Sequence, residues 1–153
     1  MHENHNMYAR LLVMSVLSFI SMYILMYSMV NTWDNVFNNV NQVYMAATMT
    51  APMVVFELLL MGSMYRNKRL NAAIIAGSVI GLIIFFMFIR QQTAVQDEQF
   101  IRSMIPHHSG AILMCEEATL QDAELATLCD SIIQAQQEEI DQMKAIMESL
   151  QNQ

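Results

Sequence analysis

The sequence predicts an all-α membrane protein, with three transmembrane helices followed by a helical hairpin outside the membrane. Three observations carry that prediction. Charged residues make up 14% of the 153 residues, against about 25% in an ordinary soluble domain, and the mean hydropathy is +0.32. Long uncharged runs fill residues 11–89. The acids crowd into the last third: from Gln91 onward eleven acids face only Arg102 and Lys144, a local net charge of −9. Such a surface repels nucleic acid, whose phosphates need basic partners, and attracts cations. The expected organisation is a cytoplasmic tail at 1–10, a transmembrane region at 11–90 and a hairpin domain at 91–153.

Residues 1–10 form a short polar tail in which His2, His5 and Met7 can touch a soft metal. Residues 11–30 run about twenty positions without a charge, the length that crosses a hydrocarbon core of about 30 Å. No small-residue cleavage site follows, so a retained span is expected rather than a secretory signal. Residues 31–42 are Asn-rich and read as a short loop, with Trp33 as an interface anchor. The second span, 43–65, holds Pro52, expected to kink it, and Glu57. The third, 70–89, carries Ala73, Gly77 and Gly81 at four-residue steps, which suits close helix packing. Arg10 and the cluster Arg66, Lys68 and Arg69 flank the spans on one side. The positive-inside rule makes that side cytoplasmic and puts the acidic tail in the periplasm or outside the cell.

No Gly or Pro interrupts residues 89–105, so the third span is expected to run into the outer domain as one helix. From Asp97 the apolar residues recur at helical spacing through Cys115, with Pro106 expected to kink or restart the helix. A second amphipathic stripe runs from Leu125 to Leu150. Thr119 or Asp122 can cap it. With Asp122, Cys115 faces Cys129, His107 and His108 face Gln136, and Met104 faces Glu139; with Thr119 the polar groups no longer match. Buried polar groups need polar partners, which favours Asp122. A Cys115–Cys129 disulfide would support that register, and an outer compartment permits one.

His107 and His108 are adjacent, so they diverge by about 100° on a helix. One faces the hairpin partner and the other faces solvent or a second chain. Met104 and His108 are four residues apart, Met104 and His107 three, His107 and Met114 seven. Imidazole with thioether suits Cu(I), Ag(I) or Cu(II) better than Mg or Ca. Glu139 can ligate a metal or orient a histidine. In the second span Met45, Met49, Met53, Glu57 and Met61 recur every four residues, a spiral that drifts about 40° per step; it reads either as flexible packing between helices or as a transmembrane path for Cu(I). Glu57 stands out because an acid within a span is costly.

The run Asp97-x-x-Phe100-Ile101-x-x-Met104-Ile105-x-His107-His108-x-x-Ala111-Ile112-x-Met114, followed by Ile133-x-x-Gln136-x-x-Glu139-Ile140-x-x-Met143, resembles the family named domain of unknown function 305. The resemblance covers about residues 94–150. It implies a ferritin-like hairpin that completes a four-helix bundle by oligomerisation, in copper- or silver-binding proteins of the bacterial envelope. Carried over position by position, it puts forward Met104, His107, His108, Met114 and Met143 as ligands. Family members often have Ala where Cys115 and Cys129 stand, and an aromatic near the end that this chain lacks.

The expected function is binding of copper, or of silver or another soft metal, by a homo-oligomer anchored in membrane lipid, without catalytic turnover. The alternatives are an oligomeric metal transporter with a Met-lined path and a ferritin-like metal oxidase. The oxidase is disfavoured because no Glu-x-x-His spacing is present.

Overall fold

The computed structural model describes residues 2–152, with side chains from Asn6 onward. His2 and His5, offered above as soft ligands, therefore lie outside the described side chains. Among the described residues there are five α-helices, two 3₁₀ turns and no strand. The chain divides into two compact units, Met1–Leu25 with Asn41–Thr93, and Met26–Val40 with Ala94–Gln153.

The first unit holds α1 (His2–Leu25), most of α2 (Val40–Leu60) and α3 (Lys68–Gln91). All three helices are long and apolar enough to cross a membrane. The polar stretch expected as a separate tail is helical from His2 and forms the first turns of α1. Leu11, Val54, Leu58 and Tyr65 make a small core, with Met7, Tyr8, Met14, Met53, Ile74 and Ile75 against it. Polar bonds tie the same region: Tyr8 donates to Asn71 Oδ1 at 2.6 Å, and Asn67 caps α3 by accepting from Leu70 N–H at 3.1 Å. Tyr44 packs on Phe85 and Phe88 and donates to the Thr93 carbonyl at 3.0 Å. Pro52 lies within a continuous α2. No described residue of α3 is buried, and Leu12, Leu17, Ile24, Leu60, Ile80 and Phe86 stand exposed. Apolar surface of that extent fits a hydrocarbon solvent, where a helix already satisfies its own backbone groups.

The third span does not continue into the hairpin. Helix α3 ends at Gln91, and Gln92 and Ala94 take left-handed φ values of 50° and 59°. Left-handed backbone costs about 1–2 kcal/mol at a residue with a Cβ. Here it closes the helix, because Thr93 N–H bonds the Phe88 carbonyl at 3.0 Å and occupies an acceptor left open at the C-terminus. A helix stop of this kind needs neither Gly nor Pro, which is why composition hid it.

The second unit is the hairpin of α4 (Asp97–Glu117) and α5 (Ala123–Gln151). Asp97 and Glu98 sit in the first turn of α4, where the helix dipole favours acids. Pro106 neither breaks nor restarts α4. Asp122 caps α5, its carboxylate accepting from Leu125 N–H at 2.8 Å. The core is Ile101, Ile105, Ile112, Ile140 and Met147, at spacings that keep them on one face of each helix. Ile105 and Ile140 are fully enclosed.

Residues Met26–Val40 belong to this unit as well, whereas the sequence places 31–42 as a bare loop of the membrane region. They form 3₁₀ turns at Met26–Met29 and Trp33–Asn35 and lie along α4 as a strap. Phe37 reaches the hairpin core. Val40 N–H bonds Gln99 Oε1 at 3.0 Å, and Tyr27 donates to the Phe37 carbonyl at 2.8 Å. At Gly110 the strap comes so close that a Cβ would stand 3.3 Å from the Met29 carbonyl oxygen.

Candidate functional site

The two histidines separate as adjacent helix residues must. His108 is buried at 8% exposure, and His107 is exposed. Their rings meet edge-on, with centroids 6.1 Å apart. His108 Nδ1 lies 2.9 Å from the Met104 carbonyl oxygen, and Nε2 lies 2.6 Å from Glu139 Oε2. Both neighbours are acceptors. A neutral imidazole satisfies one of them, so filling both bonds takes two ring protons or one on the Glu139 carboxyl.

The register expectation is corrected in one respect. The ring of His108, expected opposite Gln136, bonds Glu139 instead, so Glu139 orients a histidine as expected of it. The cause is side-chain direction. On each helix the Cα–Cβ bond leans toward the N-terminus. In an antiparallel hairpin His108 therefore leans away from the turn, while Glu139 leans toward it. The two meet about one turn beyond the level that a Cα count gives. Cys115 and Cys129 are joined as a disulfide, with Cα atoms 5.3 Å apart.

Next to His108, the strap is fastened by a buried polar cluster. Ser109, fully enclosed, accepts from Asn31 N–H at 2.8 Å and donates to Asn31 Oδ1. Asn35 Nδ2 donates to Asn31 Oδ1 at 3.0 Å and approaches Ser109 Oγ at 3.5 Å. Asn35 is 3% exposed, and its Oδ1 has no partner among the described residues. Sequence reasoning missed this cluster. The only signal was an Asn-rich stretch facing a Ser-Gly pair inside an otherwise apolar stripe.

Helix α4 thus has three occupied or open sides. One lies on α5 through Ile105, His108 and Ile112, and one lies under the strap through Ser109 and Gly110. The third is open. Phe100, His107 and Met114 are exposed there, with Met104 and Ala111 half-buried between them. The neighbouring stripe of α5 offers exposed Leu128, Glu139 and Ile146. One residue step away from the mutual seam turns toward the same side on both antiparallel helices, so these stripes share one face of the hairpin.

The candidate ligands are distributed accordingly. Met104, His107 and Met114 lie on the open face, His108 and Glu139 pair at its edge, and Met143 is half-buried against the isoleucine core. His107 and Met114 are about 10.5 Å apart along the helix axis, too far to share one ion in one chain. Among the described residues no three His, Cys, Asp or Glu side chains converge on one point. Met49, Met53 and Glu57 of α2, with Met61 just past its end, line one shallow groove around Pro52, while Met45 is exposed apart from it. Met53 also packs against the membrane-unit core. Glu57 stands three residues before the end of α2 and accepts from Tyr65 Oη–H at 3.2 Å. That end position and bond lower the cost of an acid in an apolar helix.

Fold and site together define an all-helical protein with three potential membrane spans and a disulfide-closed hairpin that exposes methionine and histidine side chains on one open face. The model of the family described as "Domain of unknown function (DUF305)" matches residues 28–147, and the chain belongs to that family. The match begins within the strap, well before the hairpin motifs. The chain is also similar to an uncharacterized protein of Acanthamoeba polyphaga mimivirus, 33% identical over 150 residues that cover 93% of this chain and 95% of that protein. No solved structure matches.

Proposed function

We propose that this protein is a membrane-anchored binder of a soft metal, copper foremost, that captures the ion on the open face of its hairpin. One observation supports this above the others: Met104, His107 and Met114 share the uncovered side of α4, beside a His108 already fixed by Glu139. Thioether and imidazole donors select Cu(I) and Ag(I) over hard cations. The eleven acids of the last third concentrate cations around that face. One chain supplies too few donors at one point for a closed coordination sphere, so a second copy of the chain completes the site and its four-helix arrangement. The disulfide is in keeping with a hairpin on the oxidising side of the membrane.

The test is a competition titration of Cu(I) against a chromophoric chelator, using full-length protein in detergent purified without chelator. Tight binding with a fixed ratio of metal to chain is expected, weakened at least tenfold by His107→Ala or Met104→Leu. Affinities equal to the parent in both variants overturn the proposal.

A further inference from the structure

The cystine stands where the soft-ligand face begins. Cys115 lies in the last turn of α4, directly after exposed Met114, and Cys129 lies in the second turn of α5. Both are partly exposed. From there Met114, His107 and Met104 descend the open side of α4 in steps of about 10.5 and 4.5 Å. The pair does not carry the hairpin alone, since the isoleucine core and the Asp122 cap hold both helices independently. The same core and cap would keep the two helices paired with the disulfide open.

Thioether donors select Cu(I), whereas copper dissolved in an oxidising aqueous phase is Cu(II). Holding the ion through Met104 and Met114 as Cu(I) then needs one electron per ion. Cys115 and Cys129 are the only two cysteines in the sequence, and a thiol pair gives two electrons as it closes. Resting on the metal-binding reading above, we propose that the reduced Cys115–Cys129 pair reduces Cu(II) and passes Cu(I) to the adjacent Met/His face. Two Cu(II) ions each accept one electron. Two S–H bonds break, one S–S bond forms, and two protons leave to solvent. The disulfide form is the discharged state. A small dithiol recharges it by exchange, becoming a disulfide itself while both cysteines regain their protons. The hairpin contributes preorganisation, because closure of two held thiols is intramolecular.

The experiment uses full-length protein in detergent, reduced with a dithiol and desalted without oxygen. Copper(II) sulfate is then added, Cu(I) is read with a chromophoric chelator, and thiols are titrated in parallel. Two Cu(I) per chain with loss of two thiols are expected, at an initial rate at least about tenfold above that of the same reduced chain unfolded in denaturant. The pre-oxidised parent, whose fold is not in question, and Cys115→Ser should produce no fast Cu(I). Equal rates for folded and unfolded chains, or disulfides formed between chains, overturn the proposal. A separate arm gives Cu(I) directly to the oxidised protein. Retention of Cu(I) there without fast reduction by the reduced form sinks the redox step alone, and fast reduction with no Cu(I) retained sinks the metal-binding reading.

Discussion

Replacing the two histidines one at a time should separate stability from metal binding. His108 has a side chain 10% exposed, bonded to the Met104 carbonyl and to Glu139. His108→Ala removes both bonds and leaves a gap beside Ile105 and Ile112. Glu139 is 54% exposed, so its carboxylate regains water and that pair contributes little. The Met104 bond and the lost packing remain, together about 1–3 kcal/mol. For a unit of this size each kcal/mol lowers Tm by about 4–8 °C. His107 is exposed, so His107→Ala should stay within about 0.5 kcal/mol of the parent while weakening Cu(I) binding. Thermal melts of metal-free protein in detergent, followed by circular dichroism, measure the first effect, and chelator competition measures the second. A Tm loss for His107→Ala as large as for His108→Ala would refute the assignment of the two rings to different sides of α4. So would a His108→Ala protein as stable as the parent.

Four further outcomes follow from the packing. Ser109→Ala strips the Asn31 amide and Asn35 of a buried partner, and should cost about 1–3 kcal/mol; a double-mutant cycle with Asn31→Ala should show coupling above about 0.5 kcal/mol. Gly110→Val should loosen the strap more than Gly110→Ala, because the first added carbon already stands 3.3 Å from the Met29 carbonyl oxygen; faster amide exchange across residues 26–40 reads this out. Ile140→Ala empties a fully enclosed position and should destabilise the hairpin by about 2–5 kcal/mol in denaturant melts. Reducing the Cys115–Cys129 bond, which closes a sequence separation of 14, should lower stability by about 3 kcal/mol if the unfolded chain gains the full loop entropy, and melts with and without a dithiol compare the two states.

The hairpin was legible because periodicity and capping are local. Ile101, Ile105 and Ile112 mark one face of α4, and Asp122 announces the start of α5 by a bond that spans three residues. The strap was not legible. Its bonds join residues 78 and 74 positions apart, Asn31 with Ser109 and Asn35 with Ser109, and nothing in an Asn-rich stretch names so distant a partner. The end of α3 escaped for a different reason: Gln92 and Ala94 adopt left-handed backbone that neither residue type advertises.

The three apolar spans, the acidic hairpin and the pairing of opposed amphipathic faces follow from composition or from a period of 3.6 residues. Tertiary structure decided which histidine is buried, which acid holds it and which side of α4 stays open. Those depend on where side chains lean and on which distant segment covers each face. A lean of one turn moved the partner of His108 from Gln136 to Glu139, and a strap from between α1 and α2 left Met104, His107 and Met114 as the uncovered side.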